Sequence, residues 1–298
     1  MLGKLYILQA QPAVILSLDL DTGDVQTVLD GIYGVPDGIQ IDAASEAIFW
    51  TSMGKPPASG EEFLADDGTV ERCGIGGSGH TTLIGNGAIV TPKQLQLHRP
   101  TNTLYWCDRE GMALMSSRTD GGNLRTILRT GEWPDQASEI LRHCVGIALD
   151  DQNGYIYWTQ KGPADGNRRR IFRVSVDFES GVMSSGNDGV ELLLDGLPEP
   201  IDLEIDLDRG KLYWTDRGDP SAQGNSLNCA NVSATGLSDH VVLATGLQEG
   251  IGLALDDAGQ RIFVSDLGGT IRMFSMADET FAVVHRFGKP LTGIAFSK

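Results

Sequence analysis

Lys211-Leu212-Tyr213-Trp214-Thr215-Asp216 is an apolar run of strand type, made of aromatic, aliphatic and β-branched residues and closed by an acid. Near copies recur along the chain: Ile48-Phe49-Trp50-Thr51-Ser52, Leu104-Tyr105-Trp106-Cys107-Asp108, Ile156-Tyr157-Trp158-Thr159-Gln160 and Ile262-Phe263-Val264-Ser265-Asp266. A degenerate copy, Leu5-Tyr6-Ile7-Leu8-Gln9, stands at the start. Steps of 56, 52 and 56 residues separate the four tryptophans, and 50 separate Trp214 from Val264. Self-similarity at such a period marks a repeat architecture in which each repeat is one supersecondary unit.

Working outward, each run, here strand B, is preceded by another of alternating apolar residues, strand A. Gly146-Ile147-Ala148-Leu149-Asp150 and Gly252-Leu253-Ala254-Leu255-Asp256 are the clearest, and Gly293-Ile294-Ala295-Phe296-Ser297 is the last. Turns as short as Asp151-Gln152-Asn153-Gly154 join A to B, as antiparallel hairpins require. Two more strands, C and D, follow each B, for example Ile171-Phe172-Arg173-Val174 and Glu191-Leu192-Leu193-Leu194. Four antiparallel strands per repeat are the blade of a β-propeller. Five blades are complete between Gly34 and Val284. The N-terminus supplies strands B, C and D of a sixth, and the C-terminus its strand A. The sequence thus predicts one all-β domain over residues 1–298, a six-bladed β-propeller closed by pairing of its ends, which leaves no free sheet edge.

Of the 298 residues, 41% are hydrophobic, enough for a large core, and the formal net charge is −17. That charge repels nucleic-acid phosphate and anionic membrane surfaces, so neither is expected as a partner. The four cysteines, Cys73, Cys107, Cys144 and Cys229, form no CxxC pair and lie in apolar runs, which predicts buried free thiols. No secretory h-region and no long apolar span occurs, so a cytoplasmic location is expected.

The YWTD-like runs, the G-[IL]-x-[IL]-D strands before them and Thr119-Asp120-Gly121-Gly122-Asn123 together resemble the six-bladed propeller of the low-density-lipoprotein-receptor YWTD type, within the broader TolB-like superfamily. The resemblance covers essentially the whole chain. It specifies the fold but not the function, because the fold hosts receptors, hydrolases, lyases and scaffolds. It implies that the motif Asp bonds backbone of a neighbouring blade, although Ser52, Gln160 and Gln9 stand there in three copies. No growth-factor-like cysteine module accompanies the repeats, which argues against a receptor ectodomain. The resemblance also implies that strand A is innermost, and that D-to-A and B-to-C connections share the face where a central channel opens.

Residues entering strand A are therefore the candidates. In register, Val35, Thr91, His143, Glu199, Glu249 and Pro290 align. His143, Glu199 and Glu249, with Lys93 and Arg142, are expected to supply acid–base and polarising groups, since ionisable side chains crowded into a cavity shift one another's pKa values. Tyr33, Asp37, Met53, Trp133, Asp202 and Lys289 are expected to line the substrate site. Among the B-to-C loops, that of the first blade carries Glu61-Glu62, and that of the third ends in Arg168-Arg169-Arg170, a solvated charge run or an anion clamp. An insertion, Thr130 to Arg142, contains Trp133-Pro134 and Ser138-Glu139, which predict a short helix over the mouth.

Three functions fit. The first is a small-molecule enzyme without cofactor, similar to stand-alone propeller cyclases of fungal natural-product pathways, which dehydrate an alcohol to a quinone methide and guide a hetero-Diels–Alder addition. The second is a metal-assisted hydrolase resembling calcium-dependent lactonases, with Asp37, Glu199, Glu249 and Asp202 as oxygen ligands for Ca2+. The third is a propeller that binds a protein partner on the same face.

Overall fold

A computed structural model describes residues 2–58, 62–163, 166–184 and 189–298; Glu61 of the first long loop lies outside them. Apart from two three-residue 3-10 turns, the regular elements among these residues are strands, in six antiparallel sheets with blade order A-B-C-D. The third blade adds a two-residue strand, Val182–Met183. The chain gathers into two compact units, residues 1–93 with 247–298, and residues 94–246.

The first unit holds the first, fifth and sixth blades. The sixth is built from both chain ends, as expected: β25 (Leu291–Ser297) pairs antiparallel with β1 (Lys4–Gln9), Leu5 opposite Phe296 and Ile7 opposite Ile294. The second unit holds the second, third and fourth blades. Their A strands are β8 (Pro92–His98), β12 (Cys144–Asp150) and β17 (Pro200–Asp206), and their B strands are β9 (Thr103–Asp108), β13 (Tyr155–Gln160) and β18 (Lys211–Asp216).

The repeated aromatics explain how blades stack. Neighbours along a strand point to opposite faces, so each Tyr-Trp pair serves two interfaces. Trp158 packs with Tyr105, Cys107 and Leu114 of the preceding blade, while Tyr157 joins Leu203, Leu212 and Trp214 of the following one. Trp50 packs likewise against Tyr6 and Leu8. Burying an aromatic of this size contributes on the order of 2–3 kcal/mol, so the motif is the main apolar bond between blades.

The hydroxyl after the Trp position adds a polar stitch. Thr159 Oγ1 accepts from Gly146 N at 2.7 Å in its own blade and donates to Ile201 O of the next at 3.1 Å. Thr51 does the same with Gly38 N (2.8 Å) and Lys93 O (2.6 Å), and Ser265 with Gly252 N (3.2 Å) and Thr292 O. Cys107 makes the weaker version, Sγ to Gly146 O at 3.3 Å. The glycine opening strand A is required by the same approach: a Cβ on Gly146 would sit 2.0 Å from Ile201 O.

The structure corrects two expectations. The motif Asp bonds within its own blade: Asp216 Oδ1 accepts from Glu199 N (2.7 Å) and Gly218 N (3.1 Å), holding the connector that enters β17. The stitch to the neighbouring blade falls to the Thr beside it, which has both a donor and an acceptor where a carboxylate only accepts. Secondly, the Thr130–Arg142 insertion forms turns with one 3-10 turn, Ile140–Arg142, and no α-helix. Side chains satisfy its backbone in place of a helical ladder: Gln136 Oε1 accepts from Glu132 N at 2.9 Å, and Arg142 Nη1 donates to Thr130 O at 2.9 Å. All four cysteines are buried and free, as expected.

Candidate functional site

In the second unit, the B-to-C and D-to-A connections of three consecutive blades gather ionisable side chains. Arg109 and Glu110 follow β9, His143 enters β12, Lys161 follows β13, Arg169 opens strand C of the third blade, Glu199 enters β17 and Arg217 follows β18. Backbone bonds fix these loops to one another in pairs: Lys161 N donates to His143 O at 2.7 Å, and Arg217 N to Glu199 O at 3.0 Å.

Glu199 is buried between two guanidinium groups. Its Oε1 pairs with Arg169 Nη1 and, at 2.9 Å, with Arg217 Nε. Arg169 is 1% exposed. Glu110 is fully buried and held by Arg109, with Nε to Oε1 and Oε2 at 2.8 and 2.7 Å. Cations outnumber carboxylates around Lys161, and burial followed by Arg109, Arg169 and Arg217 depresses its amine to about 8, against the pull of Glu110. Lys161 itself is half-buried, and no ion-pair partner for its Nζ stands among the described residues. Asp216 responds in the opposite sense: burial pushes its carboxyl up to about 7, against the Gly218 N–H and Arg169.

His143 is fully buried and donates through Nε2 to Ala137 O at 2.8 Å, leaving Nδ1 as a buried acceptor with no partner among the described residues. Burial lowers its pKa, Glu110 opposing, so the ring is neutral at pH 7. It anchors the insertion and senses the same charges as Lys161. Arg142, half-buried, is spent on the insertion, with Nε to Glu139 Oε2 at 2.5 Å. Trp133 is half-buried in that segment. Asp202 is buried at the start of β17, its N–H on Thr215 Oγ1 at 3.2 Å.

The remaining candidates belong to the first unit. Lys93 and Asp37 form a buried ion pair at 2.5 Å, with Met53 Sδ 3.3 Å from the ammonium. Tyr33 is 40% exposed and donates to Asp67 Oδ2 at 2.8 Å. Glu249 is exposed at a left-handed backbone position, φ 57°, and Lys289 is exposed. The structure therefore brings His143 and Glu199 into one network, and Lys93, Asp37 and Met53 into another. Of the carboxylates considered as Ca2+ ligands, Asp37 and Glu199 face cations; among the described residues no group of three or more His, Cys, Asp or Glu is placed to hold a metal ion.

Sequence reasoning passed over Arg109, Glu110 and Lys161, and read Arg169 only within a charge run. A signal for Arg169 existed. On β14 (Arg169–Asp177) the alternation Arg169, Ile171, Arg173 repeats every second residue, and all three are buried.

No family model matches the chain. It is 41% identical over 94% of its length to low-density lipoprotein receptor-related protein 1 of Pyricularia oryzae, covering 91% of that protein. The chain belongs to the family of that fungal protein. It is also 32% identical to the 3-hydroxyacyl-CoA dehydrogenase-like protein LAM1 of Cochliobolus heterostrophus, over 95% of this chain but 60% of that one. Among solved structures, a chain of the nidogen/laminin complex superposes over 99% of this chain and 98% of its own, with a TM-score of 0.74 at 20% identity. That likeness establishes the propeller fold.

Proposed function

We propose that the protein is a small-molecule enzyme whose substrate binds against the loop face of the second to fourth blades. The observation that carries this reading is the surplus of positive charge around Lys161, in a chain of net charge −17. Three guanidinium groups held by two buried carboxylates, with the Lys161 amine beside them, favour an anionic or electron-rich oxygen. A lysine at about 8 transfers a proton at neutral pH more readily than an ordinary one. Preorganised charges of this kind act where negative charge develops in a transition state.

Within that class the reading is a cofactor-independent cyclase. Lys161 donates a proton to the hydroxyl of a phenolic benzylic alcohol; the C–O bond breaks and water leaves. The phenolic proton returns to the Lys161 amine, and the quinone methide so formed takes up an alkene by hetero-Diels–Alder addition. Arg217 stabilises the phenolate oxygen. Glu199, Glu110 and His143 are positioning residues, which hold the cations and loops.

The test is a metabolite comparison between a host with the gene and one without it, followed by assay of the purified protein. Accumulation of an alcohol heavier by one water than its unit in the product, converted by wild type and not by Lys161→Met, is expected. Identical metabolites with and without the gene would sink the enzyme reading and leave a protein-binding role.

A further inference from the structure

At the other end of the strands, where A-to-B and C-to-D turns lie, the third and fourth blades line an open-mouthed cavity of about 440 Å³. That is the size of a site for a small organic molecule. Its apolar wall is Ile205, Leu207 and Val232, and its polar floor is Asp150, Tyr157 and Arg173. None of these groups serves the site described above.

The floor contains a donor left over. Tyr157 is fully buried beside Arg173, itself 2% exposed; the guanidinium can only donate to the Tyr157 oxygen, so the hydroxyl proton has no acceptor among the described residues. Burial raises the Tyr157 pKa against the opposing pull of Arg173, so the hydroxyl keeps its proton. The rest of Arg173 is committed: Nη1 to Ser233 O (2.9 Å), and Nη2 to Ala234 O (2.7 Å) and Glu191 Oε2 (2.8 Å), with its guanidinium 4.4 Å over the Tyr155 ring. Buried donors without acceptors cost free energy, and native structures rarely retain them without a use.

The charges around this floor decide what acceptor fits. Glu191 already balances Arg173, and the carboxylate of Asp150, whose oxygens accept from Asn153 N and Nδ2 at 2.9–3.0 Å, adds a negative charge. A carboxylate or phosphate would meet net repulsion, whereas a neutral carbonyl would not. We propose that this cavity is a second small-molecule site, which takes an uncharged carbonyl compound, an amide or a lactone, with its oxygen on Tyr157 Oη and its apolar part on Ile205, Leu207 and Val232.

The test is a titration of the full chain with benzamide, followed by saturation-transfer NMR, with benzoate as the charged analogue. Two variants accompany it: Tyr157→Phe removes the donor, and Ala234→Trp plugs the rim from an exposed position. Saturable benzamide binding with a Kd of about 1 mM is expected, weakened about tenfold or more by Tyr157→Phe and abolished by Ala234→Trp. Tyr157→Phe should still melt cooperatively near the wild-type temperature, which separates a loss of binding from a loss of fold. No saturable binding to wild type, equal binding to Tyr157→Phe, or benzoate binding as tight as benzamide would each overturn the proposal.

Discussion

Lys161 is the residue on which the chemistry turns. The folded protein lowers its amine from 10.5 to about 8, so the charged form is disfavoured relative to the unfolded chain. That penalty is present in full below pH 8 and fades as the pH rises to 10.5. Lys161→Met is therefore expected to gain stability at pH 7, on the order of 3 kcal/mol at most, and to gain nothing at pH 10.5. Urea unfolding of both proteins at the two pH values checks it; equal stability at pH 7 would mean that the lysine is not strained. Glu199→Gln should act in the opposite direction, because it removes the carboxylate that pairs with both Arg169 and Arg217. A loss of about 3 kcal/mol or more is expected at neutral pH by the same measurement. Little of this was legible beforehand. Arg109-Glu110 is an acid–base neighbour pair of a kind that occurs on any solvated loop, and only the fold buries it. His143 and Glu199 were found because their register at the entry to strand A is fixed by the repeat. Lys161 sits past the end of a strand, where no periodicity reports burial.

At the scale of the element, the blade motif divides its labour among neighbouring side chains. In Tyr157-Trp158-Thr159 the Tyr serves the next blade, the Trp the previous one, and the Thr hydroxyl stitches Gly146 to Ile201. Thr159→Val keeps the shape and removes both bonds, leaving a buried N–H and C=O without their partner. It should lower stability by about 1–3 kcal/mol, read as a shift in the urea midpoint, whereas Thr159→Ser should recover most of it. An unchanged midpoint in the Val variant would show that packing alone joins the blades. The strands, their order and the blade count were readable because aromatic and β-branched residues alternate with period two over an even repeat. The motif acid and the insertion were not. Whether a carboxylate reaches its own or a neighbouring blade, and whether side chains outbid a helical ladder over thirteen residues, depends on distances the pattern does not encode.

At the scale of the whole molecule, both ends of the chain meet in one blade. Deleting Leu291–Lys298 strips β1 of one of its two strand partners and exposes the edge of an apolar sheet. The truncated chain is expected to lose its cooperative melt and to aggregate, as size-exclusion chromatography would show; a monomer with a wild-type melt would refute the role of the terminal pairing. Net charge is the other global property. At −17 the molecule's field pulls every lysine upward in pKa, so a lysine near 8 requires local burial and local cations strong enough to reverse it. The most direct measurement is therefore the titration of the Lys161 side chain by NMR, with 13C-labelled lysine and the Lys161→Met variant to assign its signal. A midpoint near 8 is the result the account predicts. A midpoint near 10.5, the ordinary lysine value, would contradict it and remove the ground for an acid–base site on this face.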